Sequence, residues 1–287
     1  VCFSNVDVIL VLNSANGPFG ILTKIFRKKT CINVDGLEWL RPKWRGLGSY
    51  YFRISSKLAT IFYDEIITDS NQMSFIYNKR FNKKSKTIAY GSTMVRTDSN
   101  IILEKFKLKK NDYYLIVGRL IPDNNSKLIV DGFLKSNSKK KLVIVGDVPY
   151  MDTYASGIKK NKSDKIIFTG YVNCNKNLSS LYINCYCYIH GHEFGGTNPT
   201  MINALDLNCN IIALDTQFNR EMIGTKQVIF FEKRLSYVRK AIIKFENGRK
   251  VILDEKPNYI LPEKFKWNYI TNQYLELFYN LTSLQNK

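Results

Sequence analysis

The sequence is poor in the residues and patterns that most often declare a function. Histidine occurs only twice in 287 residues, as His190 and His192. Six cysteines stand at positions 2, 31, 174, 185, 187 and 209, with no C-x-x-C pair, and Cys185-x-Cys187 falls in a predicted strand. That spacing fits neither a zinc site nor a disulfide framework, so reduced thiols in a cytoplasmic setting are expected. No apolar run approaches the ~20 residues that cross a bilayer, and no secretory signal is visible. There is no G-x-G-x-x-G fingerprint, no Walker loop, and no Ser or Cys beside histidine with a spaced acid partner. RNP, KH and zinc-finger patterns are missing as well. Carboxylates are scarce: 24 Asp and Glu face 43 Lys and Arg, a formal charge of +19. Such a surplus calls for an anionic partner, and without a nucleic-acid module a phosphorylated ligand or an acidic membrane surface is favoured.

Short apolar runs alternating with amphipathic stretches predict parallel α/β units. Strands are expected at 6–12, 30–34, 65–68 and 86–89, with helices at 18–27, 48–63 and 71–81. A polar seam follows at 97–111. Beyond it the pattern restarts, with strands at 113–117, 142–145, 165–169, within 181–189, 210–214 and 228–231, and a helix at 235–246. Several of these strands end in glycine or a polar residue (Gly118-Arg119, Gly146-Asp147, Gly170, His190). In open α/β sheets, ligands bind at those carboxyl ends. The expected organisation is a first Rossmann-like lobe over 1–105, a second over 106–263, and an aromatic-rich helix over 264–287 packing back on the body.

The densest stretch is His190-Gly-His-Glu-Phe-Gly-Gly-Thr-Asn-Pro-Thr-Met-Ile-Asn-Ala-Leu205. Pro199 suits a first helical turn, and small residues before a helix can present N–H groups to phosphate oxygens. Together with Val117–Asn125, Val143–Asp147, Phe168–Tyr171 and Phe218–Gly224, this stretch resembles family-4-like glycosyltransferases of the GT-B fold. Asn33-Val-Asp-Gly-Leu-Glu-Trp39 with Arg41, Lys43 and Trp44, then Ile66–Ser70 and Ile88–Gly91, is similar to the bacterial rhamnosyltransferase-type subgroup. The motifs run in consistent order along nearly the whole chain. The resemblance implies two lobes facing a cleft, the first of them incomplete because the chain enters its sheet midway.

It also implies roles. Arg119, Asn124 and His192 are the candidate catalytic residues, with Arg119 pairing the leaving diphosphate. Gly118, Gly146, Tyr171, Gly195, Gly196, Thr197, Asn198 and Asn203 are candidate donor contacts, with Phe168–Tyr171 beside the base; for Tyr171, stacking and core packing stay open. Asp35, Glu38, Trp39, Arg41 and Lys43 either line an acceptor cleft or form a salt-bridged loop over a core tryptophan. The chain departs from the family where relatives carry Lys five residues after the arginine: here that position is Asn124. A second departure concerns two glutamates spaced in the family. In one register they become Gly195 and Asn203; in the other, Glu193 is kept and Met201 replaces its partner. Loss of a charged ribose acceptor costs roughly 1–2 kcal/mol, about tenfold in affinity.

The implied activity is retaining transfer of a hexose or deoxyhexose, rhamnose first, from a dTDP- or UDP-linked donor to a lipid-linked saccharide in cell-surface polysaccharide assembly. It would take place at the inner face of the plasma membrane. No resident cofactor, no metal and no nucleic acid is expected. The rival expectation is a non-catalytic remnant that binds nucleotide or a partner subunit.

Overall fold

A computed structural model describes residues 4–161, 163–224, 228–249 and 257–283. They form two compact units, one drawing on Val1–Gly91, Phe194–Asn198 and Pro262–Lys287, the other on Ser92–Glu193 and Pro199–Leu261. The seam thus falls at Gly91–Ser92 rather than at 105–106. The polar stretch after it is not a linker: a short helix, Ile101–Lys105, buries Ile102 and Leu103 in the second unit.

The first unit holds four parallel strands in sequential order: β1 (Val8–Leu12), β2 (Lys29–Asn33), β3 (Glu65–Thr68) and β4 (Lys86–Thr87). Helices Gly20–Ile25, Leu47–Phe62 and Asn71–Phe81 connect them. Ser70 caps the last of these by accepting from the Met73 amide, and Asn82 closes it in the left-handed region that Asn tolerates. The terminal helix Trp267–Ser283 lays Ile270, Leu277 and Leu281 against Cys31, Ile67 and Ile88. Its apolar face is therefore covered by this unit's own sheet.

The second unit is a six-stranded parallel sheet made of β5 (Tyr113–Val117), β6 (Lys141–Val145), β7 (Ile166–Gly170), β8 (Cys187–His190), β9 (Ile211–Leu214) and β10 (Ile229–Phe231). Their spatial order is β10-β9-β8-β5-β6-β7. From β5 the chain winds outward through β6 and β7, then returns to the other side of β5 for β8 to β10. The topology therefore reverses between β5 and β8. Tyr113–Ile116 and Leu142–Val145 are buried throughout, the continuous apolar run of strands covered on both faces. One expectation fails in part: Leu181–Asn184 close the helix Asn175–Asn184 instead of opening a strand, so Cys185 lies at a helix end and only Cys187 is in β8. Apolar periodicity alone does not separate a short buried strand from a buried helix end. Cys31, Cys174, Cys185, Cys187 and Cys209 are free thiols, all but Cys174 buried. Among the described residues no helix is long and apolar enough to cross a membrane.

Candidate functional site

The reversal falls between β5 and β8, and the carboxyl ends of strands at such a switch point are where open α/β sheets take ligands. Gly118 follows β5 with φ +153°, and Gly146 follows β6 with φ +116°. A Cβ on Gly146 would lie 2.2 Å from the Gly118 carbonyl oxygen, far closer than carbon and oxygen can approach. The Gly118 amide donates to Val145 O at 3.0 Å and the Gly146 amide to Gly170 O at 2.8 Å. Three neighbouring strands thus end in glycine or beside one, and backbone meets backbone where Gly146 approaches Gly118.

Arg119 follows Gly118, exposed, and its guanidinium has no hydrogen bond or ion pair among the described residues. An unengaged planar cation at a switch point is suited to bidentate pairing with phosphate. Asn124 ends the 3-10 turn Pro122–Asn124 and ties two site residues together. Its Nδ2 donates to the Arg119 carbonyl at 2.8 Å, and its Oδ1 meets His192 Nδ1 at 2.8 Å. With the amide so oriented Oδ1 can only accept, so His192 carries a proton on Nδ1. Asn219 fixes the same loop from below by donating to His192 O at 3.1 Å and to Leu214 O at 2.9 Å. The structure therefore brings Arg119, Asn124 and His192 together, with both polar atoms of the Asn124 amide engaged by the other two.

Sequence reasoning missed two participants here. Asn219 sits in the Phe218–Gly224 motif, but nothing in the motif separates it from its neighbours. Lys233 follows β10 and forms a close ion pair with Glu193, whose amide donates to Asp123 O at 3.1 Å. Its position just past a strand's carboxyl end was the available signal. His190, one residue before the loop, is buried and holds Tyr188 Oη at 2.9 Å through Nδ1. Burial, and secondarily the charge of His192, push its pKa well below the ordinary imidazole value.

Other expected donor contacts are placed differently. Gly195, Gly196, Thr197 and Asn198 belong to the first unit, not the second. The Thr197 amide donates to Asp69 Oδ2 at 2.8 Å, and its hydroxyl accepts from the Tyr90 amide at 3.1 Å. Gly196 is pressed so closely on Asp69 that a Cβ there would overlap the carboxylate. The N–H expected to meet phosphate is thus engaged by a buried carboxylate. Asn203, in the helix Pro199–Asp206, uses its Oδ1 to accept from Ser92 Oγ and the Thr93 amide, both at 3.2 Å. The atom expected to meet a ribose hydroxyl is already occupied. Tyr171 is 53% exposed and donates to Asp147 O at 2.9 Å, so the core alternative for its ring is wrong.

The acceptor-side cluster contains both features that its sequence offered: a buried ion pair beside a core tryptophan, and a cleft that Glu38, Lys43 and Trp44 line together with Leu47 and Phe52. Glu38 is buried, pairing with Arg41 Nε at 2.8 Å and accepting from Trp44 Nε1 at 2.9 Å. Trp39 packs on Tyr77 and Phe81 with Arg80 over its ring. Lys43 lies over Trp44 at 4.5 Å, and Asp35 takes a left-handed backbone with its amide held by Asn33 Oδ1 at 3.0 Å. Glu38, Trp39 and Arg41 are thus engaged inside the fold, whereas Lys43 stays exposed. Among the described residues, no group of three or more His, Cys, Asp or Glu could hold a metal ion.

Two parallel-sheet α/β lobes, one with a strand-order reversal, are the architecture of GT-B proteins. Residues 98–261, more than half of the chain, match the model of "Glycosyl transferases group 1", and residues 5–93 match a domain of unknown function, DUF1972. The chain belongs to the glycosyl transferases group 1 family. It is 23% identical over 227 residues to a Campylobacter jejuni N-acetylgalactosamine-N,N'-diacetylbacillosaminyl-diphospho-undecaprenol 4-alpha-N-acetylgalactosaminyltransferase. That match covers 76% of this chain but spans only 60% of the length of the relative. The fold is shared with Anabaena HepE in complex with UDP and glucose (TM-score 0.76, 13% identity, 96% of this chain, 78% of that one). It is also shared with sucrose-phosphate synthase from Thermosynechococcus elongatus (TM-score 0.75, 15% identity, 97% and 74%).

Proposed function

We propose that the chain transfers a sugar from a nucleoside-diphosphate donor to a lipid-linked saccharide. The observation that carries this reading is the uncommitted Arg119 guanidinium after Gly118 at the β5/β8 reversal, with His192 held beside it through Asn124. Departure of a nucleoside diphosphate leaves charge on its phosphate oxygens, and a fixed cation in a crevice stabilises it. The Arg119 backbone is anchored by Asn124, so the cation is presented from a fixed base. The crystallised fold relative binds UDP, and the Campylobacter relative acts on a diphospho-undecaprenol acceptor; both support this class of donor and acceptor. A dTDP- or UDP-linked donor, rhamnose as the first sugar to try, a retaining course, and cell-surface polysaccharide assembly at the inner membrane face complete the proposal.

The test is transfer of labelled sugar from UDP- and dTDP-linked donors into the lipid fraction of bacterial membranes. Incorporation that disappears in Arg119→Ala supports the reading. A second reading is favoured by one observation: Asn203 Oδ1 is occupied by Ser92 and Thr93, which leaves the ribose without its expected acceptor. On that reading the chain binds nucleotide without transferring sugar. Nucleotide binding with no lipid label from any donor would select it.

A further inference from the structure

The first unit carries a surface that its own fold leaves uncovered. Helix Leu47–Phe62 buries Phe52, Ser55, Ser56 and Ala59, one face at i, i+3, i+4 and i+7. A second stripe runs along it at Leu47, Tyr50, Ile54, Lys57 and Ile61, spaced by three and four residues. Its apolar members are 87, 64, 41 and 48% exposed. A helix with one stripe in the core and another apolar stripe in water has a second surface to meet.

The surroundings of that stripe are basic. Arg53, Ile54, Lys57 and Ile61 line one wall of a groove of about 640 Å³, and Lys79, Arg80 and Phe81, at the end of helix Asn71–Phe81, line the other. None of these four cations forms an ion pair among the described residues. Helix Gly20–Ile25 packs on the Leu47–Phe62 helix, is tied to it by Lys24 Nζ donating to Ile61 O at 3.0 Å, and exposes Ile21, Leu22 and Ile25. The three helices together contain no Asp or Glu. Apolar side chains ringed by long cationic ones, without a single carboxylate, fit an interface where hydrocarbon begins just beneath phosphate. The stems lie along apolar surface and the heads reach the charged layer.

We infer that this face, centred on Leu47, Ile54, Lys57 and Lys79, docks the chain on an anionic phospholipid bilayer. It gives the membrane-facing part of the proposed function a location, but it rests on no residue of the Arg119 crevice, so the two stand or fall separately. The lipid phosphates pair with Arg53, Lys57, Lys79 and Arg80, while Leu47, Tyr50, Ile54 and Ile61 enter the headgroup–acyl boundary. A free phosphate offers only the first half of this recognition.

The experiment is vesicle flotation of the full chain at about 0.15 M salt, with phosphatidylcholine alone or with roughly 30% phosphatidylglycerol. Binding is expected on the anionic vesicles and not on the neutral ones, and inorganic phosphate at millimolar level should not displace it. Lys57→Glu/Lys79→Glu should weaken partitioning by about tenfold or more. Leu47→Ser, at an exposed position that does not touch the core, should weaken it several-fold. Lys139→Glu/Lys176→Glu, the same charge change on the second unit, should leave it nearly intact. Each variant is checked for an unchanged melting temperature and unchanged UDP binding. Equal binding to neutral vesicles, equal loss from the control pair, displacement by phosphate, or retention by duplex DNA in place of vesicles would overturn the inference.

Discussion

Gly146 illustrates how narrowly some single residues are specified. Its φ of +116° and its contact with the Gly118 carbonyl leave no room for a methyl group. Gly146→Ala should destabilise the second unit by about 2–4 kcal/mol, from backbone strain and overlap together, measurable by denaturant unfolding. Retained stability would mean this close approach is softer than drawn. Asn203 poses the opposite question, since its Oδ1 serves Ser92 and Thr93 rather than a ligand. If the crevice is a working donor site, Asn203→Glu should raise UDP affinity by about tenfold, as a charged acceptor replaces a neutral one. Calorimetry showing no gain would favour binding without transfer. At this scale the sequence was only partly legible. Strand ends and rare residues single out Gly118, Arg119 and His192, and the structure places them near one another through Asn124. Glu38 and Trp39 were ambiguous because a buried ion pair and an exposed binding cluster share one composition, and only packing against Tyr77 and Phe81 separates them.

Among the elements, β8 joins stability to the site. It delivers His190 into a buried position beside Tyr188, with its pKa depressed mainly by burial. The unfolded chain therefore takes up a proton near pH 6.5 that the folded chain refuses until well below that value. Above the unfolded pKa this group has no effect on the pH dependence; below it, stability falls by up to about 1.4 kcal/mol per pH unit until His190 protonates in the fold. Melting curves between pH 7.5 and 5.5 should show a decline that His190→Gln flattens, and parallel curves for the two proteins would contradict this origin. Strands β3 and β5 and helix Asn71–Phe81 match their expected limits, because each is an uninterrupted apolar or capped run. The Asn175–Asn184 helix and its junction with β8 were not legible. Two buried elements in succession make one long apolar stretch, and only the turn at Cys185 divides them.

For the whole molecule, the sequence indicated two α/β lobes and the direction of the charge, but not how the chain distributes itself between them. Residues 194–198 return to the first unit, held by the Asp69 carboxylate, which no local pattern predicts because Asp69 lies 128 residues before Thr197. The surplus of +19 is likewise uneven in its placement: three helices of the first unit carry cations with no carboxylate, whereas the second unit sets some of its lysines against carboxylates, as in Lys127–Asp131 and Lys159–Asp147. The proposed donor crevice and the proposed lipid-facing surface share no residue and can be tested apart. The crevice is the central claim, and calorimetric titration of the full chain with UDP and dTDP, beside Arg119→Ala, tests it most directly. Arg119 has no partner to lose among the described residues, so the variant should melt at the wild-type temperature. The wild type should bind at least one nucleotide in the micromolar range, and Arg119→Ala should bind it about tenfold or more weakly, the cost of a charged hydrogen-bonded pair. Equal affinity in the variant, or no binding of either nucleotide by the folded wild type, would contradict the placement of the donor site.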